Sequence, residues 1–411
     1  MSISTHAPGL SNARFYLKLL FSLTLLFITA CKVDTPSDRS AAFQPEDPGF
    51  VVVAEGELPP LATGMTLQSP ERFRQLIDDT IKRGDDERDP RFYGYAEGMV
   101  RQRLETHPED VGALLTLADL LQKQHAFEEA THVFEQVIQL APANPQAYLS
   151  MAMLARQRGD FAGMEKLCRQ LLARAGAEVA AICIYAAQGL QGKLGSSYEE
   201  LERVIERPLH PAINRWARQE AAEMAARLGQ PDRARAHWTA ALEAAGSSVP
   251  PAELLVAIAD FYLLEQQPLD VIDLLAGETE MPALAMRLAA ADVAVAAGRE
   301  EGDADAVRSK WVDELQPWLD LWTARGEQSH AGELAYYLFA VRAEPEQALE
   351  PAFAQWSARK EPQDTLLLLE IISQLGEDSD VARQSLQSVE EWLKQTGYED
   401  QRIRSLLAVA S

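Results

Sequence analysis

Positive charge is scarce in this chain. Lys and Arg number 38 against 62 Asp and Glu, a formal net charge of −24. That sign argues against nucleic acid as a partner, because nucleic acids are held by Lys and Arg that neutralise phosphates. It also argues against a folded body lying flat on an anionic lipid surface. Cysteine is almost absent, with three in 411 residues, which leaves no disulfide-dense scaffold and no Cys-rich zinc site. Aromatics supply only 7% of the chain, and Pro is scattered rather than clustered. The apolar residues are mostly Ala and Leu, the composition of a helical protein packed through small side chains.

Catalytic patterns are missing as well. There is no phosphate-binding Gly-x-x-x-x-Gly-Lys-Ser/Thr loop and no Gly-x-Ser-x-Gly elbow. Gly189, Gly192 and Gly195 follow a helical run, so they read as a helix end and a long turn rather than a dinucleotide loop. His125 and His132 are seven apart, about 10 Å along a helix, too far to share a metal without further ligands. The acidic turn Glu300-Glu301-Gly302-Asp303-Ala304-Asp305 lacks the ordered ligand run of a calcium loop. No cofactor and no metal are expected.

What the chain does have is a period. Leu114, Leu117, Ala118 and Leu121 share one face of a helix beginning at Val111. Ala130, Phe134 and Val137 share a face of the next, and Pro142 closes the unit. Moving on 34 residues gives Tyr148, Met151, Ala152 and Ala155, then Met164, Cys168 and Leu171, with Gly176 at the close. The turn recurs as Gln124-His125-Ala126-Phe127 and Arg158-Gly159-Asp160-Phe161. The register returns at Ala222, Gly229, Pro231, Ala234, Trp238 and Ala241, and weaker pairs surround Ala259 with Leu275 and Ala291 with Gly298. Helix pairs without much of the pattern are expected over 328–360 and 363–409. Trp311, Trp318 and Trp322 form one helical stripe, read as the core side of a long helix, with a peptide-binding ledge as the alternative. Phe92, Tyr93 and Tyr95 either line an entrance or close the N-terminal end.

These units resemble the tetratricopeptide repeat, with its small-residue positions at Ala118, Ala130 and Ala152. Met164 departs from the usual Ala, which implies a looser contact there. The resemblance implies an all-α, helical-hairpin solenoid forming a right-handed superhelix, because one unit cannot bury its apolar face alone and stacked units share a continuous core. It also implies a concave groove, with Leu114, Tyr148, Ala155 and Arg156 at groove positions. The segments Asp89 to Ala96, Arg359 to Pro362 with Leu366 to Glu370, and Trp392 to Asp400 are similar to a group of bacterial tetratricopeptide proteins. Members of that group are often encoded beside hydrogenase- or urease-accessory-type permeases.

The N-terminus has its own pattern. Arg14 and Lys18 precede the apolar run Leu19 to Ala30, whose 12 residues are too few for a membrane-spanning helix of about 20. Thr29 and Ala30 lead directly into Cys31. This resembles a bacterial lipoprotein signal, which implies cleavage before Cys31 and acylation of that residue; an ordinary secretory signal with an incidental Cys is the alternative. The mature chain would carry a charge near −26. Lys32 stands where an Asp would mark inner-membrane retention, which favours the outer membrane. The expected organisation is a signal peptide over 1–30 and a lipidated Cys31 with a flexible linker to 68, reaching about 30 Å. A repeat solenoid over 69–246 and degenerate repeats over 247–411 follow.

In this register Cys168 and Cys183 lie on neighbouring helices of successive units. In an oxidising compartment they form either a disulfide or two buried thiols. The expected work is protein binding: a periplasm-facing envelope scaffold whose acidic surface prefers a basic partner. An assembly factor for a pilus, pore or permease complex is the alternative. A hidden enzyme in the C-terminal half would need convergent polar groups that the sequence does not offer.

Overall fold

Asp110, Asn144 and Asp160 each stand just before a helical run, and each side chain accepts a main-chain N–H from the first turn. Such caps satisfy donors that a helix start leaves open, so they fix where helices begin. Pro follows directly at Pro145, Pro211 and Pro231, where the missing N–H costs nothing. The computed structural model describes residues 70–87, 91–124, 126–246, 249–299, 302–325, 330–376 and 379–410. The signal segment, Cys31, the linker, His125, Glu300 and Glu301 lie outside these residues.

Every described regular element is helical. The helices come in consecutive pairs: α1 (Pro70–Glu87) with α2 (Arg91–Thr106), α3 (Val111–Lys123) with α4 (Phe127–Leu140), and α5 (Pro145–Gln157) with α6 (Phe161–Gln170). Then come α7 (Ala177–Gly189) with α8 (Leu194–Ile205), α9 (Pro211–Arg227) with α10 (Pro231–Ala245), and α11 (Ala252–Leu264) with α12 (Pro268–Leu274). The last are α13 (Pro282–Ala297) with α14 (Asp303–Arg325), α15 (Ala331–Tyr336) with α16 (Pro345–Ala358), and α17 (Pro362–Leu375) with α18 (Asp380–Thr396). A final helix, α19 (Gln401–Ala410), makes 363–409 three helices rather than a pair. Gly397, at φ +69°, ends α18, and the Asp400 carboxylate accepts the Arg402 N–H at 2.9 Å to start α19. A π-helical turn over Tyr337–Val341 extends α15.

The small-residue positions are where the repeat pattern puts them. Ala118, Ala130 and Ala152 are wholly buried, which lets paired helices approach closely. Met164 is also wholly buried. Trp311 and Trp322 are core residues, and the Trp311 indole donates to Asp292 at 2.9 Å. Phe92 is buried under the Arg83 guanidinium, and Tyr93 donates to Asp85 at 2.7 Å, so this segment joins α2 to α1.

The core is in three parts. One part joins α1 to α5, from Phe73 to Leu154. Another joins α11 to the π-helical turn, from Leu255 to Val341. The largest joins Tyr148–Phe261 to Ala335–Ile403. The last helices therefore share one core with the third to sixth pairs, and packing runs straight across the boundary expected at residue 246.

Candidate interaction surface

In a solenoid of paired helices the first helices line the inner side. Here the ends of α5 and α9 and the start of α8 meet residues 360–402 of the same chain. The main-chain N–H of Lys360 donates to the Gln157 carbonyl at 2.7 Å. The Glu399 carboxylate accepts the Leu194 N–H at 3.1 Å, and its carbonyl accepts from Arg227 Nε at 3.0 Å. Arg402 pairs with Glu223 at 2.9 Å, 179 residues away. Trp392 and Tyr398 pack around Phe161, with ring centroids 6.1 and 6.3 Å from it.

Glycines mark the line of contact. Gly159, Gly192 and Gly229 each follow a first helix with a left-handed backbone. A Cβ at Gly159 would meet Lys360, one at Gly192 the main chain of Gly397, and one at Gly229 the side chain of Gln401. The turn between paired helices thus also serves as the seat of the C-terminal segment.

The four expected groove residues do not form one surface. Leu114 is a core residue of α3, 3% exposed. Tyr148 is buried too, its hydroxyl donating to the Pro142 carbonyl at 3.2 Å under the Arg174 guanidinium. Ala155 packs half-buried against the main core. Arg156 does face inward, but it reaches Glu220 at 2.8 Å and Glu361 at 3.3 Å. Burial alone would lower its pKa, yet these carboxylates hold it above the ordinary value. The reason for the correction is topological: Glu361 lies 205 residues along the chain, and no local pattern announces that the two meet.

Several acids on this side are paired with Arg. Arg287 grips Asp260 with two hydrogen bonds, at 2.9 and 3.1 Å. Arg402 is shared by Glu223 and Asp400. Glu370 differs: burial and the neighbouring Asp260 push its carboxyl up to about 7 against the pull of Arg402. Sequence reasoning missed Glu220, Glu223, Glu361, Glu399 and Arg402. The glycines recurring 33 and 37 residues apart were the available trace of their seat.

A cleft is open where the C-terminal helices meet the N-terminal pairs. Its volume is about 570 Å³, and it lies between the α3–α4 turn, the end of α5 and the end of α16. Ala126, Phe127, Leu154 and Ala358 supply apolar lining, and Glu128, Glu129, Arg158 and Arg359 supply charge. Gln157 also lines it, with a buried Oε1 that accepts no hydrogen bond.

Cys168 on α6 and Cys183 on α7 are joined by a disulfide with Cα atoms 5.4 Å apart, tying the third pair to the fourth. Among the described residues no three His, Cys, Asp or Glu side chains converge in a way that would hold a metal. His132 is an exposed residue beside Glu135.

A scan against protein-family models finds no match, nor does a search of curated proteins. Solved structures share the helical-hairpin architecture at low identity. PilW, described as a widely conserved type IV pilus biogenesis factor, is 17% identical over 52% of this chain and 96% of that one, with a TM-score of 0.38. The Pseudomonas aeruginosa protein pilF is 12% identical over 51% and 96%, with a TM-score of 0.36. The Cut9–Hcn1 hetero-tetramer of the APC/C is 12% identical over 84% of this chain and 63% of that one, with a TM-score of 0.49. Among its described residues the chain is an all-α protein of consecutive helix pairs, the architecture that the repeat resemblance implies.

Proposed function

We propose that this chain is a non-catalytic scaffold for protein–protein interaction, held to the bacterial envelope by lipid on Cys31 and facing the periplasm. The observation that carries the scaffold reading is the helix-pair body itself. Its third to sixth pairs share one core with its C-terminal helices, with an open cleft at the junction with the N-terminal pairs. The lipid part rests on Arg14, Lys18, the short apolar run and the small-small-Cys sequence ending at Cys31. The outer membrane is favoured by Lys32. No helix among the described residues is long and apolar enough to cross a membrane.

Two measurements test this reading. Cys31→Ser should release the protein from the membrane fraction, because stable lipid anchoring needs the acyl chains; a variant that still pellets after a high-salt wash defeats the anchor. Crosslinking of the full-length protein in native envelopes, read by mass spectrometry, should return a reproducible protein partner. A chain crosslinked only to itself defeats the scaffold.

A further inference from the structure

Carboxylates outnumber the arginines that serve them along the seam between the C-terminal helices and the middle pairs. Arg156 is shared by Glu220 and Glu361, at 2.8 and 3.3 Å, and Arg402 by Glu223 and Asp400, at 2.9 and 2.6 Å. Arg287 is taken by Asp260. Arg227 donates to the carbonyls of Gly189 and Glu399 and meets no carboxylate among the described residues. That leaves Glu370, which stands on α17 between the buried Leu369 and Ile371. The Ser373 hydroxyl donates to its main-chain carbonyl at 2.7 Å. Its carboxylate accepts no hydrogen bond and joins no ion pair among the described residues. We propose that this seam is a proton-sensitive latch: acidification tightens the docking of α17 and α19 on α9 and α11 through Glu370, and rising pH loosens it. The inference goes beyond the scaffold reading and does not depend on it.

A carboxylate packed into a core seam without a cation of its own is destabilising while charged, and a proton removes that cost. Two charges face Glu370. Asp260, from α11, repels its negative form, and Arg402, from α19, is already divided between two acids. Arg287 on α13 is committed to Asp260 and lies 4.2 Å over the Tyr336 ring of α15. Burial pushes the Tyr336 phenol up, so that group stays neutral. Helices α16 and α18 also pack on α17 and bring no charge to Glu370.

The direction follows from linkage. Burial first, then Asp260, raise the Glu370 carboxyl to about 7. The folded chain therefore takes this proton before the unfolded chain, whose carboxyl titrates near about 4.3. The contribution of Glu370 to closure is fully present below that lower value and is lost as the pH rises through about 7. Two other groups titrate nearby in pH. His237 acts with the opposite sign, and Asp119 on α3, raised by burial to about 6, acts with the same sign. The decisive comparison is therefore between variants at one pH, where those groups cancel.

The test is hydrogen exchange of the full-length chain, read by mass spectrometry, for the parent, Glu370→Gln and Glu370→Leu at about pH 8 and about pH 5.5, on either side of the folded-state titration. Both variants lack the charge, and the second also lacks any hydrogen-bonding group. On the alkaline side the variants should protect α9, α11, α17 and α19 roughly tenfold better than the parent, with α3 and α4 unchanged. On the acidic side, where the parent carries the proton, parent and Glu370→Gln should match. No gain in either variant on the alkaline side overturns the latch. So does a gain that persists unchanged on the acidic side, which would not be tied to the proton. A gain spread equally over α3 and α4 overturns it too, since that marks overall stability rather than the seam.

Discussion

Gly192 carries a φ of +76°, and a Cβ added there would sit 3.1 Å from the carbonyl oxygen of Gly397. The left-handed backbone alone costs a non-glycine residue about 1–2 kcal/mol, and the contact with a main-chain atom cannot be relieved by a side-chain rotation. Gly192→Ala should therefore lower the unfolding free energy by at least about 1 kcal/mol, measured by urea titration; an unchanged midpoint would remove the proposed seat. His237 offers a second residue-scale test. It is buried between α8 and α9, with Arg218 Nη1 at 3.2 Å from Nδ1 and the Tyr198 hydroxyl at 3.0 Å from Nε2. Tyr198 donates onward to Glu202 at 3.2 Å, and Arg233 also reaches Glu202. Burial first, then the Arg218 and Arg233 charges, hold the His237 pKa below its ordinary value, against the pull of Glu202. The unfolded chain then binds the proton more readily than the folded one. The His237 contribution to stability is complete above the ordinary histidine value near 6.5 and is lost as the pH falls toward the depressed folded value. Unfolding titrations at several pH values should show this fall in the parent and less of it in His237→Gln; equal slopes would refute the assignment.

Among elements, the second and third pairs are the best defined by sequence. The Asp160 cap, the small-residue positions Ala118, Ala130 and Ala152, and the 34-residue step all come from local chemistry, and local chemistry is what a sequence states directly. The link from the third pair to the fourth is a covalent one. The disulfide from Cys168 to Cys183 closes a separation of 15 residues, worth about 3 kcal/mol in the chain-entropy account. Reduction of the oxidised protein should lower its unfolding free energy by about that amount. Thiol labelling of denatured, unreduced protein taken from the envelope should find neither cysteine reactive; two labelled cysteines would contradict the bond. Other elements were not legible. The break at Gly397 that yields α19 carries an ordinary glycine, and the π-helical turn at Tyr337–Val341 has no composition of its own. The short α12 and α15 derive their order from the core around Leu255, Ala289 and Tyr337 rather than from strong periodicity.

For the whole molecule, the all-helical paired architecture was readable because repetition multiplies a weak local signal. Its closure was not. The contacts that bring residues 360–402 onto α5, the start of α8 and α9 join positions 172 to 205 apart, and each uses residue types common on any helix surface. The same fact explains the misplaced groove: Arg156 points inward as the repeat pattern implies, but its partner is this chain. Closure accounts together for the row of left-handed glycines, the buried aromatic cluster of Phe161, Trp392 and Tyr398, and the pairing of Arg402 with two acids. The most direct test is a double-mutant cycle between Glu223 on α9 and Arg402 on α19, which meet at 2.9 Å. Unfolding free energies of Glu223→Gln, Arg402→Gln and the double variant should give an interaction energy of about 0.5–3 kcal/mol. Additivity within about 0.3 kcal/mol would mean that the C-terminal segment does not dock on the inner side, and would contradict the account.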